Sequence, residues 1–237
     1  MVKLGNNDEV GRCALTIFAR APVPGRVKTR VAERVGASRA CALYRAMLRD
    51  TLALATVAAS CVPNCDAWVI FTPDDAFEDG PHSLRPVWDG PHQAQRGSDL
   101  GARMLHCLAD MRAHGYTRVA IIGSDAPDIP PGLICDAFGT LAAAPAVLGP
   151  ARDGGYYLIG TSVPLPVEAF ADVTWSAPTT LDETRRALGA QGIVPHLLGT
   201  WDDVDTFDDL QTLAARLKSG ASHAPATAAW LRSEQLL

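Results

Sequence analysis

Cys13-Ala14-Leu15-Thr16-Ile17-Phe18-Ala19 is a continuous, predominantly apolar run of strand length. A strand without a polar face must be covered on both sides, which is the condition of a parallel sheet held between helical layers. Apolar positions follow at Ala40, Leu43, Tyr44, Met47, Leu48, Thr51, Leu52 and Ala55, and their i, i+3, i+4, i+7 recurrence predicts a helix over 38–59 with Ser38 as N-cap. Ala67–Phe71 then returns as a second strand, closing a β-α-β unit whose crossover is right-handed.

The alternation continues. Residues 72–97, with Pro73, Pro81, Pro86 and Pro91, read as a long binding loop or lid carrying a short strand at 86–88. Helices are expected over 99–113, 130–143, 178–191 and 206–218, the last opened by a capping box of Thr206 and Asp209. Strands are expected at 118–122 and 192–198. A strand-turn-strand unit spans 146–160, where Asp153-Gly154-Gly155 suits a tight turn and two glycines leave room for a ligand against the backbone. Residues 12–218 are read as one domain, 1–11 as a polar tail, and 219–237 as an Ala/Ser-rich tail with Trp230 and Leu231 docking as a terminal helical turn. The expected architecture is a Rossmann-like α/β fold, whose ligands bind outside the carboxyl ends of the strands.

Charge is unevenly distributed. Residues 1–50 carry a balance of +6 and the remainder −11, a basic entrance on an acidic chain. That pattern suits a small phosphorylated ligand and argues against a nucleic-acid surface. Apolar residues make up 48% of the chain, yet no run is long enough to span a membrane and the amino terminus lacks a signal-peptide core, so the expected location is cytoplasmic. Six scattered cysteines give no disulfide framework, and the Cys61/Cys65 pair has no second cluster to complete a zinc site.

Three loops can carry chemistry. Arg20–Arg30 follows the first strand, where phosphate loops usually sit; with one glycine and two prolines it cannot build a full cradle of N–H groups, so its cations Arg26, Lys28 and Arg30 would bind phosphate. Asp125 follows the strand 118–122, where its carboxylate would project into the crevice and hold a divalent cation. Asp205 is its partner by position, though an acid before a helix also serves as a cap. Neither G-x-G-x-x-G nor G-x-x-x-x-G-K-[ST] is present, which excludes dinucleotide oxidoreductases and P-loop NTPases.

Together, Phe18–Arg30, Gln95–Gly101, Gly123–Asp128, Gly149–Leu158 and Asp203–Thr206 resemble the bacterial GT-A-type transferases catalogued as a domain of unknown function. Members are named glycosyltransferases, some tied to arsenosugar synthesis, and are similar to 2-phospholactate and molybdopterin guanylyltransferases. The resemblance implies a nucleotide-diphospho-sugar-dependent glycosyltransferase assisted by Mg2+ or Mn2+; a nucleotidyltransferase and a non-catalytic nucleotide-binding module are the alternatives. It implies catalytic roles for Asp125, Asp153 and Lys28, with Asp125 and Asp205 as metal ligands. Arg20, Arg26, Lys28, Arg30, Gln95, Gly97 and Asp99 would hold the nucleotide and its phosphates, and Asp153, Gly154 and Gly155 the acceptor or sugar pocket. The D-x-D metal motif of many such enzymes is not reproduced at Asp125, which is preceded by Ser124 and followed by Ala126-Pro127. Expected partners are a nucleotide or nucleotide-sugar donor and a small-molecule acceptor, with a homodimer left open.

Overall fold

The apolar run at Cys13 lies in the interior of the sheet. The computed structural model describes residues 11–237, so all but the last residue of the expected amino-terminal tail lies outside the described residues. Strands β1 (Cys13–Arg20), β2 (Cys65–Thr72), β3 (His92–Ala94), β4 (Arg118–Gly123), β5 (Ala146–Pro150), β6 (Tyr156–Thr161) and β7 (Pro195–Leu197) form one sheet. Their order is β3-β2-β1-β4-β6-β5-β7. The β1–β2, β1–β4, β2–β3 and β5–β7 pairs are parallel, and β6 runs antiparallel to both its neighbours because the hairpin from β5 returns it into the gap beside β4.

Seven helices flank the sheet: α1 (Thr29–Val35), α2 (Ala37–Cys61), α3 (Leu100–Ala113), α4 (Pro131–Thr140), α5 (Thr180–Ala190), α6 (Phe207–Ser219) and α7 (Pro225–Ser233). Alternation along β1 divides the core. Leu15, Ile17 and Ala19 face the layer of α2 and α4, while Ala14 and Phe18 face α3 and the short 3-10 turn at Val167–Phe170. A third cluster joins Val31, Leu43 and Met47 to Val204, Leu210, Leu213 and Leu231, tying α1 and α2 to the carboxyl-terminal helices.

Several local expectations change. The loop after β1 ends at Thr29, where α1 begins, and Gly36, at φ 85°, separates it from α2. Ser38 therefore lies inside the first turn of α2 and makes no capping bond. Residues 86–88 are not a strand, because the N–H groups of Val87 and Trp88 both donate to the Leu84 carbonyl; the strand forms instead at His92–Ala94. The late strand shortens to three residues because Ile193 N–H donates back to Leu188 and closes the end of α5. Residues 225–233, expected within a tail, form α7. Its first turn is held by buried Asp50 of α2, which accepts from Ala226 N at 2.9 Å and Thr227 N at 2.7 Å, and its Leu231 is fully buried. The capping box forms as expected, with Thr206 and Asp209 each accepting from the other's backbone.

The hairpin turn is built differently from its reading as a ligand-facing glycine pair. Gly154 sits at φ 90°, and a Cβ there would lie 2.1 Å from the Pro178 carbonyl oxygen. The space beside Gly154 is therefore filled by the chain itself, and its carbonyl accepts from Leu181 N at 2.8 Å. Gly154→Ala is expected to cost about 2–4 kcal/mol, a left-handed penalty plus a clash with backbone that cannot swing away. The urea midpoint reports it; Gly139→Ala in α4, where a Cβ meets nothing within 4 Å, is the control that should not destabilise.

Candidate active site

The loops leaving the carboxyl ends of β1 and β4 open a cavity of about 610 Å³, closed on the far side by β6 and the segment before α5. This is where a ligand of an open α/β sheet is expected.

Lys28 is its pivot. It is the N-cap of α1 with φ 47° and ψ 47°, a left-handed conformation that a long side chain adopts only when its surroundings impose it. That turn sends the side chain inward, where only 3% of it remains exposed. Its Nζ donates to the Asp125 carboxylate and to the Val204 carbonyl, and lies 3.7 Å from the Asp205 carboxylate. The two carboxylates are each 48% exposed, so their outer faces open to the cavity. Val204 N–H in turn donates to the Asp125 carbonyl at 2.9 Å, which stitches the β4 loop to the segment before α6.

That segment is extended, so alternate residues point opposite ways. Val204 is fully buried in the third core cluster, and Asp203 and Asp205 both line the cavity. Burial pushes the Asp203 carboxyl up to about 7, reinforced by the negative charges of Asp153, Asp205 and Asp125. Asp205 is raised for the same first reason, with the Lys28 ammonium opposing. Asp125, Asp153, Asp203 and Asp205 thus lie close enough for their charges to act on one another, with the buried Lys28 ammonium against two of them.

A stability prediction follows in metal-free buffer. The Asp203 carboxyl is raised when folded, so the folded chain keeps a proton that the unfolded chain loses from the ordinary value of 3.8 upward. Its penalty is absent below that value and complete once pH passes about 7. Asp203→Asn should therefore melt with the wild type at pH 4 and roughly 2–5 °C above it at pH 8, as read by calorimetry in EDTA.

The other candidates divide. Arg20, Lys28, Arg30, Gln95, Asp125, Asp153, Gly155 and Asp205 line the cavity, whereas Arg26, Gly97, Asp99 and Gly154 do not. Arg26 points to solvent and contributes its carbonyl, which accepts from Arg20 at 3.3 Å. Gly97 is required by packing, since a Cβ there would lie 2.7 Å from Arg103 N. Asp99 caps α3, accepting from Ala102 N at 2.9 Å, and that bond holds its carboxyl below the ordinary carboxylate range. Gln95 reaches the rim but spends its side-chain amide on the Ile70 carbonyl at 2.9 Å. Asp153 turns its carboxylate onto Gly155 N at 2.8 Å, shaping the hairpin at the cavity edge.

Two contributors escape sequence reasoning. Tyr44 of α2 reads as a core residue, yet its hydroxyl accepts from Arg20 N at 2.9 Å and contacts Ser124 Oγ at 3.1 Å, joining the β1 and β4 loops from below. Burial raises its hydroxyl to about 12, which keeps it a neutral strut. Asp203 carries a signal in the sequence: in Asp203-Val204-Asp205 an inward valine puts both acids on one side. The Asp128 side chain is fully buried and paired with Arg216, whose Nε donates to it at 2.9 Å, while Trp201 Nε1 donates at 3.2 Å.

Among the described residues, no three acidic, histidine or cysteine side chains are grouped as a preformed metal cage. The oxygen pair of Asp125 and Asp205 nevertheless suits a small hard cation that keeps most of its waters. That Lys28 already stands between them shows that a positive charge belongs there.

Comparison with known proteins places these features in a wider set. Residues 54–177, just over half of the chain, match the family described as "Uncharacterized protein conserved in bacteria (DUF2064)". A Desulfovibrio desulfuricans G20 structure, proposed to be a nucleotide-diphospho-sugar transferase, is 32% identical with a TM-score of 0.81, covering 94% of this chain and 96% of that one. Phosphoenolpyruvate guanylyltransferase of Nocardia farcinica (strain IFM 10152) is 29% identical over 208 residues, 83% of each chain. At the level of fold alone, 4-diphosphocytidyl-2C-methyl-D-erythritol synthase from Anaerococcus prevotii DSM 20548 aligns with a TM-score of 0.57 at 13% identity, over 88% of this chain and 97% of its own. No helix among the described residues is long and apolar enough to cross a membrane.

Proposed function

The chain belongs to the DUF2064 family, and from that premise we propose that it is a nucleotide-diphospho-sugar-dependent glycosyltransferase assisted by a divalent cation. The observation that carries this reading is the charge arrangement of the cavity. Cations from the loop after β1 and carboxylates from the β4 loop and from the segment before α6 line one space of about 610 Å³, with Lys28 paired to Asp125. Such a site holds a diphosphate on one wall and leaves the other for an incoming acceptor.

Arg20 and Arg30 approach the phosphates from the rim, and Lys28 from within. The cation, held by Asp125 and Asp205, would supply charge neutralisation for the departing diphosphate. Asp153 and Gly155 meet the acceptor at the hairpin. Asp203, whose carboxyl sits near neutrality, can hold a proton on the acceptor side.

Nucleotidyl transfer is the second reading, favoured by the guanylyltransferase relative, which aligns over 83% of this chain. It uses the same cations, with pyrophosphate leaving from a nucleoside triphosphate. Incubation with Mg2+ or Mn2+, nucleoside triphosphates, nucleotide sugars and candidate acceptors separates the two. Free nucleoside diphosphate supports glycosyl transfer; release of pyrophosphate alone would replace it with nucleotidyl transfer.

A further inference from the structure

An ammonium has three N–H donors and no acceptor. Lys28 has three acceptors around it: the Asp125 carboxylate, the Val204 carbonyl and the Asp205 carboxylate. Two of its donors are thus spent on hydrogen bonds within the protein, and the Asp205 carboxylate lies within ion-pair range at 3.7 Å. Arg20 and Arg30 differ. Arg20 gives its side chain only to the Arg26 carbonyl, and Arg30 forms no ion pair among the described residues, although both line the cavity. Of the cations that line the cavity, Lys28 is therefore the one already paired within the protein.

We propose that Lys28 is an internal counter-ion occupying the place of the divalent cation between Asp125 and Asp205, and that binding of the cation releases its ammonium toward the ligand's phosphates. The inference rests on reading Asp125 and Asp205 as cation ligands. A mobile cation and Lys28 cannot both satisfy the inner faces of these two carboxylates, so one must yield. Freed from them, the ammonium is still on the loop that follows β1, beside Arg20 and Arg30, and gains three donors for phosphate. The reverse also holds, because a phosphate that draws Lys28 away uncovers the carboxylates. Cation and phosphate then help each other to bind, a coupling that must be equal in both directions. The left-handed backbone at Lys28 is what turns the ammonium inward, where it joins the β4 loop to the segment before α6.

Two measurements test this without turnover. The chain has three lysines, Lys3, Lys28 and Lys218, so acetylation by an amine-reactive ester can be followed site by site by mass spectrometry. In the wild type without metal, Lys28 should react far more slowly than exposed Lys218 at the end of α6. Saturating Mn2+ should raise the Lys28 rate several-fold and leave Lys218 unchanged. The second measurement is Mn2+ affinity by electron paramagnetic resonance, comparing wild type with Lys28→Met. Removing the internal competitor should tighten Mn2+ binding by about 5- to 150-fold, the usual range of coupling between linked sites.

Lys28 staying protected while Mn2+ is bound would overturn the proposal. So would a Lys28→Met protein that binds Mn2+ no better than wild type, or no binding by either protein. Should Lys28→Met fail to fold, the wild-type acetylation rates alone decide. A chain that passes both tests but transfers no group would refute the proposed function and leave this inference standing.

Discussion

Asp125→Asn should lower kcat/KM for group transfer by about a thousandfold, the upper range for loss of one preorganised electrostatic group. The substitution keeps volume and shape and removes only the charge. Two consequences follow from the geometry. On the proposed function the cation would lose one of its two carboxylates, and Lys28 loses the charge of one of its two hydrogen-bond acceptors. Stability should change little, because the Asp125 side chain is half exposed and its backbone bond to Val204 does not involve the carboxylate. A steady-state assay paired with a melting curve checks both halves. A loss of activity that tracks a large fall in melting temperature would mean that Asp125 is structural.

The largest stability effect is expected at Arg216. Asp128 is fully buried, and its charge is answered by Arg216 through Nε at 2.9 Å and Nη2 at 3.2 Å, with Trp201 Nε1 completing the shell. Arg216 also binds Asp202 at 2.7 Å and lies over the Trp201 ring at 5.5 Å. Arg216→Ala would leave a buried carboxylate unpaired, which costs about 3–5 kcal/mol. Chemical denaturation measures this directly. The double variant Arg216→Ala with Asp128→Asn should recover much of the loss, because it removes the stranded charge. If the single variant loses under 1 kcal/mol, water reaches Asp128 and the pair is not the clasp described here.

The layout of the molecule was readable where one periodicity dominated. Cys13–Ala19 could only be a covered strand, and the stripe from Ala40 to Ala55 could only be a helix, so β1, α2 and β2 stand close to their expected bounds. Legibility failed where a backbone group from elsewhere decided the outcome. Residues 86–88 have strand composition, but the Leu84 carbonyl captures two of their N–H groups. Trp230 and Leu231 hinted at docking, and Asp50, more than 170 positions away in sequence, extends that hint into a helix.

The site divides along the same line. Asp125, Asp205 and Lys28 could be picked from loop position, and the structure brings them together. What those residues do to one another could not, because no local rule brings an ammonium at 28 to a carbonyl at 204. Gly97, Asp99 and Gly154 were chosen for their motif, and packing or capping accounts for each of them. Asp203 was passed over as one more acid before a helix, and only the burial of Val204 reveals which way it points.

The bond from Lys28 to Val204 joins positions 176 residues apart. A contact of that span closes late, since long loops must be ordered before it rewards them. During synthesis the basic loop after β1 is made well before the segment that carries Val204 and Asp205. A chain made only to β6 therefore carries the basic loop and Asp125 without Asp205 or the Val204 carbonyl, and any nucleotide it meets finds only part of a site. The pocket is thus completed only when this segment docks: a nucleotide that stabilises residues 1–237 should do little for a chain ending before Asp203, which makes ligand-dependent protection a gauge of that docking.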